Sequence, residues 1–261
     1  MGERSQGVAV SLVIPARDEA ESIPVLAAEI EAVMDGLDLA WECIWVDDGS
    51  RDSTRVALQQ LHARRGQHQY LGFDRSYGQS AGLTQAFRRA RGEWIVTLDA
   101  DLQNDPRDIP ALLGPLQRGV ADMVNGYRTV RHDRLVRRAS SHIGNGFRNW
   151  VLREQVRDVG CSLRAVRASC VRELPYFRGM HRFLPKLVGL RGGRILEVPV
   201  RHRPRRYGRA KYGIGNRIWV GMIDTLGVRW LAARHQVPVI ECASIEAAEP
   251  GERSGDAAVS G

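Results

Sequence analysis

Cysteine is scarce in this sequence: Cys43, Cys161, Cys170 and Cys242 are the only four, and none sits in a C-x-x-C spacing. A disulfide-stapled mini-fold is excluded, and thiols buried in a reducing compartment are expected instead. No apolar run approaches the roughly 18 residues that a membrane-spanning helix needs. The start, MGERSQGVAVSLVIP, has no basic region followed by a long apolar stretch and a small-residue cleavage site, so it does not read as a signal peptide. G-x-G-x-x-G and Walker A motifs are both absent, which removes the usual glycine-cradled phosphate sites. No internal repeat is visible, and no histidine stands out as a general base.

What is present is an ordinary globular composition with a cationic bias. The chain has 261 residues, 43% of them hydrophobic and 26% charged, enough to bury a real core in one large domain or two small ones. Thirty-eight Lys+Arg against thirty Asp+Glu leave a net charge of +8. A partner carrying phosphate follows, whether nucleic acid, nucleotide or an anionic membrane surface.

Short β-rich runs alternate with helical patterns. Strands are expected over Val8–Ile14, Trp41–Val46, Tyr70–Phe73 and Trp94–Leu98, with helices from Glu21 to Met34, after Asp52 as N-cap, and from Gln79 to Arg91. Further β-like stretches fall at Asp122–Tyr127, Val156–Val166 and Ile195–Val200, with a helix over Leu135–Leu152. The order predicts an α/β fold with a mostly parallel, doubly wound central sheet, whose ligands lie at the carboxyl ends of the strands. Acids cluster at those ends: Asp18 and Glu19, then Asp47 and Asp48, then Asp99 and Asp101.

Leu98-Asp99-Ala100-Asp101-Leu102-Gln103 follows an apolar strand. If the chain turns there, its two carboxylates can hold Mg²⁺ or Mn²⁺ against a diphosphate, with the Gln103 amide completing the set. Val46-Asp47-Asp48-Gly49-Ser50 can accept hydrogen bonds from a base N–H or ribose hydroxyls. The plain alternative is a loop cap with solvated acids for the first and a turn with Asp as helix N-cap for the second. Two basic segments stand out: Arg128 to Arg138, and Arg201 to Lys211 with Arg201, Arg203, Arg205, Arg206, Arg209 and Lys211 and no acid among them. Arginine bonds phosphate through two N–H groups at once, so some members fit a phosphorylated partner and the rest a solvated face. Arg137 and Ser141, at i and i+4, share a helix face. Ile214, Ile218, Met222, Leu226 and Trp230 recur every four residues, flanked by Trp219, Ile223 and Leu231. That amphipathic helix either packs on the domain or lies in a membrane interface.

These motifs together resemble family 2 glycosyltransferases of GT-A fold, in the polyprenyl-phosphate branch typified by dolichol-phosphate mannose synthase and the bacterial undecaprenyl-phosphate sugar transferases. Val13-Ile14-Pro15-Ala16-Arg17-Asp18-Glu19 resembles I-P-x-x-N-E, with Asp18 where Asn is usual. Val46 to Thr54 is similar to V-D-D-G-S-x-D-x-T, Asp99 to Gln103 to D-x-D-x-Q, Asp158 to Arg164 to D-x-G-x-x-L-R, and His202 to Tyr212 to R-x-x-G-x-S-K-Y. Ser76-Tyr77-Gly78-Gln79 departs from the relatives' Asn-Phe-Gly followed by His or Lys, and Ala210 replaces a usual Ser.

The resemblance implies transfer of a sugar from a UDP- or GDP-linked donor to a polyprenyl phosphate, inverting and metal-dependent. It places Pro15, Ala16, Glu19, Asp47 and Asp48 at the nucleotide, and Asp99, Asp101 and Gln103 at Mg²⁺ or Mn²⁺. Arg128, Arg137, Ser141 and Arg205 fall at the acceptor phosphate, and Asp158 positions acceptor or sugar beside the catalytic Asp99 and Asp101. The expected organisation is a catalytic domain over 1–212, an amphipathic helix over 213–234, and a tail over 235–261 that is disordered from about residue 250. The protein is expected to be cytoplasmic and peripheral on the inner face of the plasma membrane, with a separate membrane-spanning subunit as one candidate partner, and not to bind nucleic acid. Two rival readings are a haloacid-dehalogenase-type phosphatase using Asp99 and Asp101, and a non-catalytic nucleic-acid-binding module.

Overall fold

The computed structural model describes residues 7–129, 146–204 and 215–236, with side chains from 220 onward in the last segment. Seven strands form one sheet: β1 Val10–Ala16, β2 Trp41–Asp47, β3 His68–Gly72, β4 Trp94–Thr97, β5 Met123–Arg128, β6 Arg164–Arg167 and β7 Ile195–Val200. Their spatial order is β3-β2-β1-β4-β6-β5-β7. All are parallel except β6, which runs antiparallel to both β4 and β5.

Period-2 side-chain alternation splits the core in two. Leu12, Ile14 and Ala16 of β1 face helices α1 (Ile23–Met34), α2 (Thr54–Arg64) and α4 (Ile109–Gln117). Val13 points to the opposite face, with α3 (Gln79–Arg89) and α6 (Leu184–Leu190). Residues 146–152 are helical (α5), the described part of the helix expected over Leu135–Leu152. The last helix, α7, spans Gly215–Arg234.

Differences from the expected elements have local causes. Of the β-like stretch Val156–Val166, only its end joins the sheet. Polar side chains take the backbone upstream: Asp158 accepts the N–H of Gly160, and Arg164 donates to the carbonyl of Val159. The N-cap of α2 is Ser53 rather than Asp52, yet the Asp52 carboxylate still accepts the Thr54 N–H at 2.9 Å. Cys43 and Cys161 are buried, whereas Cys170 is only half-buried; Cys242 lies outside the described residues.

The apolar stripe read from α7 does not all pack. Thr225, Val228 and Leu231 turn inward, while Ile223, Leu226 and Trp230 are 66%, 56% and 59% exposed. Ile214, Ile218 and Trp219 fall outside the described side chains.

Candidate active site at the strand ends

Because β1, β2 and β4 are parallel neighbours with Ala16 opposite Asp47 and Val13 opposite Thr97, their carboxyl ends line one edge of the sheet. β5 runs the same way as β4, since each is antiparallel to β6 between them, so Arg128 at its end reaches the same edge. Conversely, Asp158 to Leu163 reach that edge just before β6 begins.

The loops after β1 and β2 are laced together. Asp18, at φ 47°, donates its N–H to Ser50 Oγ and accepts the Arg51 N–H. The Glu19 N–H bonds Thr54 Oγ1, and its carboxylate accepts the Ser22 hydroxyl. Buried Asp47 accepts from the Ser50 N–H and, at 2.8 Å, from Arg55 Nε. Asp48 accepts from Ser76 Oγ, the Tyr77 N–H and the Gly78 N–H, all within 3.1 Å. Gly49 turns between them at φ 64°, where a Cβ would come within 2.4 Å of the Arg75 backbone, so only glycine fits. Pro15 and Asp99 line the same small cavity.

The loop after β4 makes the turn that the paired acids require, with Leu102 in the left-handed region at φ 62°. The Asp99 N–H bonds Asn104 Oδ1, Asp101 accepts the Gln103 N–H at 3.1 Å, and the Gln79 amide reaches Asp99 Oδ1 at 2.8 Å. Ser162 donates to Asn104 Oδ1 at 2.8 Å, joining the segment before β6 to this loop. Arg164, buried in the same cavity, donates to the carbonyl of His181; burial pushes its guanidinium pKa down, against the nearby charges of Asp99 and Asp158. Sequence reasoning noted Gln79 only as a departure from the relatives' His or Lys, and assigned no role to Asn104, Ser162 or His181, whose neighbours in sequence show no periodicity that would single them out.

Arg128 and Asp158 meet as a two-pronged ion pair, Nε to Oδ2 at 2.7 Å and Nη2 to Oδ1 at 3.0 Å, with the Arg128 N–H adding a third bond. Burial, helped by the Asp158 charge, pushes the neighbouring Cys161 thiol up to about 11. Arg137, Ser141 and Arg205 lie outside the described residues.

The basic run from Arg201 is less exposed to a partner than its sequence suggests. Arg201 pairs with Asp108 at 2.8 Å, and Arg203 with Asp105 at 2.7 Å and Glu29 at 2.8 Å. These two arginines are occupied within the fold, a correction to a reading that looked for acids only inside the run. The same segment is stitched to the β4 loop by an Asn104–His202 bridge and by the Arg203 N–H on the Gln103 carbonyl. Burial raises the Asp105 carboxyl pKa, but Arg107 and Arg203 together outweigh it and hold the group well below the usual carboxylate range.

Asp105 therefore stabilises the fold at pH above about 4, the unfolded value, and that contribution fades as the pH falls toward its folded value. Asp105→Asn should lower the melting temperature at pH 7, with the deficit shrinking progressively below pH 4; a deficit independent of pH would contradict the ionic origin.

The carboxylates suit a divalent cation. No group of three His, Cys, Asp or Glu side chains able to hold a metal occurs among the described residues. Two hard carboxylates on one turn match a cation that takes its remaining ligands from a diphosphate and water.

Comparison with known proteins fits this arrangement. A solved structure of glucosyl-3-phosphoglycerate synthase from Mycobacterium tuberculosis, in complex with Mn²⁺, UDP and phosphoglyceric acid, shares the fold at TM-score 0.65 and 20% identity, over 89% of this chain and 80% of that one. The dodecaprenyl-phosphate galacturonate synthase of Rhizobium johnstonii is 36% identical over 227 residues, 85% of this chain and 67% of that protein. The undecaprenyl-phosphate 4-deoxy-4-formamido-L-arabinose transferase of Edwardsiella ictaluri is 34% identical over 206 residues, 78% of this chain and 63% of its own length. This chain thus aligns with about two thirds of these relatives. The sequence profile of Glycosyl transferase family 2 matches residues 11–174, from β1 through the acid-bearing strand ends to beyond β6, and the chain belongs to that family.

Proposed function

We propose that this enzyme moves a sugar from a UDP- or GDP-linked donor to the phosphate of a polyprenyl lipid, at the cytoplasmic surface of an anionic membrane and with inversion at the anomeric carbon. The observation that carries the reading is the pairing, along one sheet edge, of the Asp99–Asp101 turn with the Arg128–Asp158 ion pair. One side suits a diphosphate and its cation; the other suits a single anionic head group. Membership in the family removes the phosphatase alternative.

Asp99 and Asp101, with the Gln103 amide, would hold Mg²⁺ or Mn²⁺, which supplies Lewis-acid stabilisation to the departing diphosphate. The base and ribose lie over Pro15, Ala16, Glu19, Asp47 and Asp48, where the laced loops give a rigid floor. A lipid phosphate is already ionised near neutral pH, so its oxygen attacks without a general base. Asp158 orients the Arg128 guanidinium at the end of β5, so that N–H groups outside the ion pair can donate to the acceptor phosphate. Arg137, Ser141 and Arg205 are assigned to the same phosphate.

A thermal-shift panel of UDP, GDP, CDP and dTDP, each with and without Mn²⁺, tests the donor class. UDP or GDP should raise the melting temperature, and more so with Mn²⁺; no shift with any of them overturns the reading. The exposed Ile223, Leu226 and Trp230 of α7 fit a membrane interface, with Arg234 stacked on Trp230 at 4.8 Å. No helix among the described residues is long and apolar enough to cross a bilayer. Replacing Ile223 and Trp230 with Ser should therefore release the protein from anionic vesicles in a sedimentation assay; wild type that never pellets with them refutes the docking.

A further inference from the structure

We propose that Gln79 is a positioning residue that fixes the Asp99 carboxylate for its cation and thereby sets metal affinity. The proposal rests on the metal-site reading of Asp99 and Asp101. Gln79 opens α3, directly after Gly78, whose φ of 91° no ordinary residue adopts without strain. On one side of it, Ser76, Tyr77 and Gly78 all donate to Asp48. On the other, the buried Ser80 hydroxyl lies 2.8 Å from His181 Nδ1, hydrogen-bonded to it. The Gln79 backbone is thus pinned from both directions, and its side chain extends from that fixed point to Asp99 Oδ1 at 2.8 Å.

The choice of an amide has a physical consequence. An amide N–H orients the carboxylate plane while adding no charge of its own, whereas a Lys or Arg donor at that place would compete with a cation for the carboxylate. Partners that orient metal ligands typically contribute about ten- to a hundredfold in affinity when lost. The four residues from Ser76 to Gln79 also run from the acid at the end of β2 to the acid after β4, so one short strut sets both halves of the crevice.

The test is a Mn²⁺ titration of the full chain by electron paramagnetic resonance, with UDP binding in EDTA and the metal-free melting temperature as controls. Gln79→Met keeps length and removes the donor; it should weaken Mn²⁺ binding by about ten- to a hundredfold, leaving both controls unchanged. Gln79→His, which retains a neutral N–H donor, should restore most of the affinity. If Gln79→Met binds Mn²⁺ like wild type while Asp101→Ala does not, the positioning role is wrong and the metal site stands. If Gln79→Met lowers the melting temperature and metal-free UDP binding together, the residue is merely structural and the proposal fails. If wild type and Asp101→Ala bind Mn²⁺ alike, the metal reading itself falls, and this inference with it.

Discussion

Asp101→Ala should abolish metal-dependent sugar transfer while leaving a folded protein. Under the proposed metal site, removing one of its two carboxylates removes several kcal/mol of charge stabilisation at the leaving diphosphate, on the order of a thousandfold in kcat/KM. Within its own turn Asp101 accepts the Gln103 N–H at 3.1 Å, a bond worth about 1 kcal/mol, so the melting temperature of the variant is measured alongside its activity. The decisive measurement compares wild type and variant with Mn²⁺ and with EDTA. Wild-type activity that persists in EDTA would remove the cation from the reaction, and a variant as active as wild type would remove Asp101 from the site.

Asp158→Asn should raise the KM for the lipid acceptor by on the order of tenfold or more, with the KM for the donor nearly unchanged. The carboxylate holds Arg128 through two parallel bonds and accepts the Arg128 and Gly160 N–H groups as well. An amide keeps the shape but turns one acceptor into a donor facing a guanidinium, so the fork opens. Removing one partner of a buried pair costs about 3–5 kcal/mol, and Asp158 is the more buried member, with its side chain 3% exposed against 16% for Arg128. The melting temperature should fall too, which is why the acceptor-to-donor ratio is the informative quantity. Equal losses toward both substrates would place Asp158 in the scaffold rather than at the acceptor.

The half of the site built on β1, β2 and β4 was legible because those strands are buried apolar runs that stop abruptly at acids, so the end of the pattern and the start of the chemistry coincide. Around β6 only the motif resemblance pointed to Asp158, and the strand itself was not legible. That strand is four residues long and antiparallel, and the segment before it spends its backbone groups on Asp158 and Arg164, leaving no alternation to read. Helix α4 escaped notice because Pro110 and Pro115 interrupt its pattern, although Asp105 accepting the Arg107 N–H ahead of Pro106 is a recognisable helix-start signal. The arginines at 201 and 203 were misjudged for a different reason: their counter-charges, Glu29, Asp105 and Asp108, lie far away in sequence. A count of like charges along the chain carries no information about such partners.

The seam between the β4 loop and the segment after β7 constrains how this protein can be altered. Gln103 and Arg203 share a backbone bond, and Asn104 and His202 a bridge, although the two stretches are distant in sequence. Energies of substitutions there will not sum: a double-mutant cycle across the seam should return a coupling energy of about 0.5–3 kcal/mol. For engineering, changes at those four positions are to be tested together rather than one at a time.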